Sequence, residues 1–103
     1  MSSPVWHLYI VRTRDGSLYT GIATNVARRL TEHRARGARG AKYLRGRGPF
    51  RLVLHRRIGD RALALRVERR VKRLPKLAKE TLVASRPARR RLLGMLDLEP
   101  SQT

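Results

Sequence analysis

The sequence contains no cysteine, which removes disulfide scaffolds and thiolate metal sites from consideration. Acidic residues are scarce. Only 7 Asp plus Glu stand against 25 Lys plus Arg, so any carboxylate chemistry rests on few candidates. No apolar run approaches the roughly 20 residues needed to span a bilayer. The N-terminal segment Met1 to Trp6 lacks the basic stretch followed by an apolar one that marks a secretory signal. A cytoplasmic protein without a membrane partner is the simplest reading. No His/Asp/Glu cluster of zinc-binding type is visible, and no glycine loop of the phosphate-cradling kind. The chain shows no internal repeat and no second domain.

What is present is a chain of 103 residues, 41% hydrophobic, enough for one domain with a modest core. Its net charge of +18 repels itself in the compact state. A polyanionic partner accounts for it, because neutralising phosphates releases condensed counterions and gives salt-sensitive affinity. An acidic protein or an anionic membrane surface are the alternatives. Of the 25 cationic residues 4 are Lys and the rest Arg, a bias toward flat, forked phosphate donors.

Trp6 to Arg12 is aromatic and β-branched and predicts a strand, with Leu8 and Ile10 on one face and His7, Tyr9 and Val11 on the other. Asp15-Gly16 marks a tight turn, and Leu18 to Ile22 returns as a second strand. Asn25 offers an N-cap for a helix to about Arg36, with Val26, Leu30 and His33 at helical spacing and Gly37 as its stop. Gly37 to Pro49 reads as a basic loop, and Phe50 to Ile58 as a third strand. Asp60 caps a second helix whose apolar stripe is Leu63, Val67, Val71 and Leu74. Pro75 ends it and opens a third helix with Leu77, Ala78, Thr81 and Leu82 facing inward. Arg89 to Arg91 sit in a last helical turn, and Glu99 to Thr103 form a tail. The order β-β-α-β-α-α predicts an α+β fold, a three-stranded antiparallel sheet with one face under helices.

Two hairpin tyrosines, a helix with paired arginines and a later helix with one glutamate resemble the GIY-YIG nuclease family, over about residues 5 to 84. Its signatures appear as His7-Leu8-Tyr9 and Tyr19-Thr20-Gly21. The polar helix start and following arginine appear as Asn25 and Arg29, and the metal-binding glutamate as Glu68. The likeness is greatest to small stand-alone bacterial members. On this reading residues 1–85 are the nuclease-like domain and 86–103 a basic extension. His7 stands where the first signature has glycine, and Thr20 where the second often has isoleucine or valine. The late asparagine of larger members has no counterpart, since Asn25 is the only asparagine.

The resemblance implies phosphodiester hydrolysis with a divalent ion, Mg²⁺ or Mn²⁺, on a DNA substrate, with RNA possible and a monomer assumed. Nothing in the chain resembles a base-reading element, so structure rather than sequence would be recognised. Glu68 is the carboxylate for the metal, since a hydrated hard ion needs little more than one carboxylate and a substrate phosphate. It is also placed for an ion pair with Lys72 at i+4. Arg29 would hold the scissile phosphate, with Arg28 beside it on another face. His33 shares a face with Arg29 and is either a proton carrier or a structural residue. Tyr9 and Tyr19 would handle protons if cations depress their phenols. Gly21 would permit close approach of backbone or phosphate. In the basic loop Lys42, Arg45 and Arg47 would track the backbone while Tyr43 stacks on an unpaired base. His7 and His55 are read as ordinary strand residues. The alternatives are a DNA- or RNA-binding module that has lost or barely retains cleavage, which the charge alone would serve, and a small ribosome- or RNA-associated basic protein.

Overall fold

The computed structural model describes residues 3–36 and 49–98. Three strands, β1 (Trp6–Thr13), β2 (Leu18–Ala23) and β3 (Phe50–Gly59), form one antiparallel sheet in the order β2-β1-β3. Four helices complete it: α1 (Val26–Arg36), α2 (Arg61–Arg73), α3 (Lys76–Ser85) and α4 (Arg89–Met95). The expected α+β arrangement is therefore present, with one helix more than the predicted string.

The punctuation works as the residue types dictate. Gly16 adopts φ 86° in the β1–β2 turn, a left-handed conformation that side chains resist. Asn25 accepts the Arg28 amide at 3.0 Å and Asp60 accepts the Leu63 amide at 2.8 Å, each satisfying an orphan donor at its helix start. Leu74 is extended (ψ 142°) before Pro75, because the proline ring crowds the helical conformation of its predecessor. After α4 the Leu98 amide bonds the Leu93 carbonyl at 2.8 Å while Asp97 takes φ 57°, a left-handed helix termination.

Helices cover both faces of the sheet, where a single covered face was expected. On one side Leu8, Ile10, Leu54 and Ile58 pack against Ala64, Val67 and Val71 of α2, Leu82 of α3, and Leu92 and Leu93 of α4. On the other, Tyr9, Val11 and Ala23 pack against Val26 and Leu30 of α1, with Tyr19 and Phe50 alongside. Central β1 thus buries Leu8 through Val11 without a break.

Two helix faces differ in detail from the apolar pattern. On α3 Leu82 is buried and Ala78 half-buried, but Thr81 is exposed and Leu77 is 79% exposed. Leu77 instead lines an open groove with Met95 of α4. The basic stretch from residue 86 contributes Leu92, Leu93, Leu96 and Leu98 to the core. Arginines tie that stretch down. Arg56 donates to the carbonyls of Pro87 (2.7 Å) and Arg86 (3.0 Å), Arg89 to that of Ile58 (2.6 Å) and Arg70 to that of Leu96 (2.8 Å). Among the described residues no helix is long and apolar enough to cross a membrane.

Candidate active site

The β1–β2 register decides what the hairpin presents. Tyr9 lies directly opposite Gly21, and Val11 opposite Tyr19. Directly opposed residues share a sheet face, so Tyr9 and Tyr19 both point toward α1, their ring centroids 6.4 Å apart. A Cβ on Gly21 would fall 2.5 Å from Tyr9 Cζ and 2.9 Å from Cε2. The glycine is the space in which the Tyr9 ring lies.

α1 brings its inward face onto this pair. His33 is buried, and its Nε2 is 3.3 Å from the Tyr9 hydroxyl. Its ring meets Tyr19 edge-on at 6.4 Å and Phe50 at 6.5 Å. Burial pushes the His33 pKa down, and Arg29 adds to this against an opposing pull from Glu32. His33 is therefore neutral at neutral pH.

Tyr9 is 1% exposed. Its pKa is pushed up to about 12, first by burial and then by Tyr19, while Arg29 pulls it down through charge and a hydrogen bond. Cations were expected to depress the hairpin phenols. For Tyr9 they do not prevail, because a phenolate in this position loses its hydration and one guanidinium returns less than that. Glu68 also raises the Tyr9 pKa through its charge, which places its carboxylate within electrostatic reach of the cluster. It projects from α2 with its side chain 19% exposed, and Lys72 pairs with it at 3.3 Å.

Tyr9, Tyr19, Arg29 and His33 are thus brought together, with Glu68 at their margin and Gly21 beneath Tyr9. Arg28 and Arg29 are both exposed and both reach Glu32 at 3.4 Å. They line, with Trp6, Ala23, Asn25 and Glu32, a cavity of about 370 Å³. Lys72 is exposed on α2 beside Glu68. Lys42, Tyr43, Arg45 and Arg47 lie outside the described residues. Sequence reasoning passed over Glu32, although its spacing of four from Arg28 and three from Arg29 announced the pairing. It also passed over Phe50, whose ring borders His33 and lies under the Arg34 guanidinium at 4.9 Å.

A family profile described as the GIY-YIG catalytic domain matches residues 5–80, the segment that contains every one of these side chains. The chain belongs to the GIY-YIG family. Within it the chain is similar to the UPF0213 protein YE0453 of Yersinia enterocolitica, at 53% identity over 95% of this chain and 97% of that one. It is similar also to the UPF0213 protein YpsIP31758_3578 of Yersinia pseudotuberculosis, at 54% identity over 96% and 99% of the two chains. Among solved structures, the solution NMR structure of the UPF0213 protein BH0048 from Bacillus halodurans matches with a TM-score of 0.52 and 44% identity, covering 79% of this chain and 84% of that one. The GIY-YIG assignment thus extends over the sheet, α1 and α2, which carry the cluster.

A metal would find a particular donor set here. Among the described residues no three His, Cys, Asp or Glu side chains group to hold an ion. Glu68 offers a single, mostly buried carboxylate. One oxygen ligand completed by water and substrate phosphate suits a hydrated hard ion of the Mg²⁺ kind, not a tetrahedral zinc cage.

Proposed function

We propose that this chain is a divalent-metal-dependent nuclease that hydrolyses phosphodiester bonds in DNA, selecting structure rather than sequence. The observation that carries this reading is the convergence of Tyr9, Tyr19, Arg29 and His33 on one sheet face with Glu68 in electrostatic reach. Arg29, exposed at the rim, binds the scissile phosphate and follows its charge as the bond breaks. Tyr19, half-buried, is the phenol open to substrate and water. Tyr9 stays protonated at neutral pH, and its hydroxyl lies within hydrogen-bond distance of neutral His33 Nε2, a contact that fixes the imidazole in the site. Glu68 holds a Mg²⁺ or Mn²⁺ ion, which supplies charge stabilisation at the phosphate when bound. Arg28 and Lys72, with Lys42, Tyr43, Arg45 and Arg47 of the basic segment, hold the flanking backbone.

The Lys72–Glu68 ion pair favours a second reading, a DNA-binding module whose carboxylate is already occupied. One experiment separates the two. Wild type and Glu68→Gln are incubated with single-stranded, duplex and branched DNA, with Mg²⁺, Mn²⁺ or EDTA, and binding is followed in the same samples. Cleavage abolished by EDTA and by Glu68→Gln, with binding retained, supports the nuclease. Binding by both proteins without cutting of any substrate removes it in favour of the module.

A further inference from the structure

At the end of the sheet, where β1 begins and β2 finishes, Trp6 and Ala23 share a cavity with Asn25, Arg28, Arg29 and Glu32. The last four form one stripe of the α1 surface, because residues three and four apart on a helix are neighbours. Trp6 is half-buried at the margin of the large core. Arg61 Cζ lies 5.6 Å from the centre of its ring, within cation–π range. Core packing and this cation hold the indole in place, and part of it still lines the cavity. A volume of about 370 Å³ falls at the small end of the roughly 300–1,000 Å³ of ligand clefts. It suits one planar group with a fixed aromatic beside it.

Glu32 sets the chemistry of that group. A carboxylate on a surface that meets a polyanion repels phosphate. Its two arginine contacts are both 3.4 Å, longer than the about 2.7–2.9 Å of a strong charge-assisted bond. Its oxygens therefore keep capacity to accept, and what nucleic acid offers a carboxylate is a base N–H, such as the amino group of cytosine. Arg29 joins this cavity to the tyrosine cluster, since it lines the one and hydrogen-bonds Tyr9 in the other. A nucleotide whose phosphate rests on Arg29 brings its base to the mouth of the cavity. The base can enter only outside the helical stack, which costs least where it is already unpaired.

We propose that this cavity is a pocket for a single unpaired nucleobase next to the reaction site, with Trp6 as its stacking surface and Glu32 as the acceptor for a base N–H. The inference deepens the nuclease reading by naming the structure that is selected, and it rests on this face being a nucleic-acid surface, though not on cleavage. It is tested on the full chain in EDTA with three duplexes as probes: one with an unpaired cytosine, one with an abasic site in its place, and one fully paired. Wild type is expected to bind the cytosine probe roughly tenfold tighter than the abasic one, the scale of one base stacked on an aromatic ring. Trp6 is the only tryptophan, so its emission reports the pocket directly and should change with the cytosine probe and not with the abasic one. Trp6→Leu and Glu32→Ala should each shrink the ratio between these two probes. Equal affinity for both, with the same emission, overturns the pocket without any variant. A Glu32→Ala protein that binds both probes more tightly and by the same factor also overturns it, since the acid would then only offset the arginines. Wild type that binds none of the three probes overturns the nucleic-acid reading as well, so the two failures are distinguishable.

Discussion

Replacing Gly21 by alanine adds one carbon where the Tyr9 ring already lies. The new Cβ would come within 2.5 Å of Tyr9 Cζ, and the ring cannot swing away cheaply. It is fully buried, opposed by its strand partner and tied to His33. Overpacking of a buried site costs about 1–3 kcal/mol, and alanine recovers roughly 0.5–1 kcal/mol of the entropy that a strand glycine loses. The expected net loss is about 1–2 kcal/mol, a fall in Tm of roughly 5–15 °C for a domain of this size. Gly94 provides the contrast. It lies within α4 with nothing inside 4 Å of an added Cβ, so Gly94→Ala should raise stability by roughly 0.5–1 kcal/mol. Thermal unfolding followed by circular dichroism reads both, and Gly21→Ala should also weaken cleavage by displacing the Tyr9–His33 pair. A Gly21→Ala protein as stable and as active as wild type would refute the claim that this glycine is steric space for Tyr9.

Further outcomes follow from other contacts. Arg12 grips Glu80 through two bonds of 2.7 and 3.0 Å and, as the largest cause, holds its pKa down at about 2. A depressed carboxylate stabilises the fold above its unfolded pKa, so the thermal midpoint should decline from about pH 4.5 toward about pH 2, and less so in Glu80→Gln. His33, held below the usual histidine value, stabilises in its neutral form. Cleavage by wild type should therefore fall on acidification below the normal histidine range, and the acid limb of the pH–rate profile should disappear in His33→Gln. Arg56→Gln leaves the carbonyl of buried Pro87 without its partner. A loss of about 1.5–3 kcal/mol in urea unfolding is expected, and a loss under about 0.5 kcal/mol, typical of an unengaged surface position, would show that the brace is idle.

The hairpin, the Asn25 and Asp60 caps and the α2 stripe were legible because each depends on neighbours in sequence. Val67 and Val71 lie fully buried where the helical period puts them. The second covered face was also written in the chain, as four successive core residues from Leu8 to Val11. Unbroken burial of that kind marks a strand packed on both sides. Long-range register was not legible. That His55 and not a neighbour meets Tyr9 depends on where β3 slides along β1, and the β1–β3 pairing shifts register twice. The core leucines of α4 were hidden behind Arg89, Arg90 and Arg91, whose charge marked residues 86–103 as a basic extension and not as part of the core. Arg89 in fact spends its guanidinium on the Ile58 carbonyl. The inward reading of Leu77 failed because a helix's packing face is set by the neighbour it meets, and α3 meets the core through Leu82. Of the candidate cluster, the tyrosines and Arg29 came from the resemblance, whereas the link from Tyr9 to His33 needed three dimensions.

β1 divides its labour by parity. Even-numbered Leu8 and Ile10 serve the large core, odd-numbered Tyr9 and Val11 the side that bears the candidate chemistry. A single insertion or deletion between Trp6 and Thr13 would exchange the two sets, sending the tyrosine into the leucine core and leucines toward substrate. Evolution can therefore replace residues along this strand but cannot change its length, and any drift in one half of the alternation is constrained by the other. The strand behaves as a frame with two readers, and both must remain in phase.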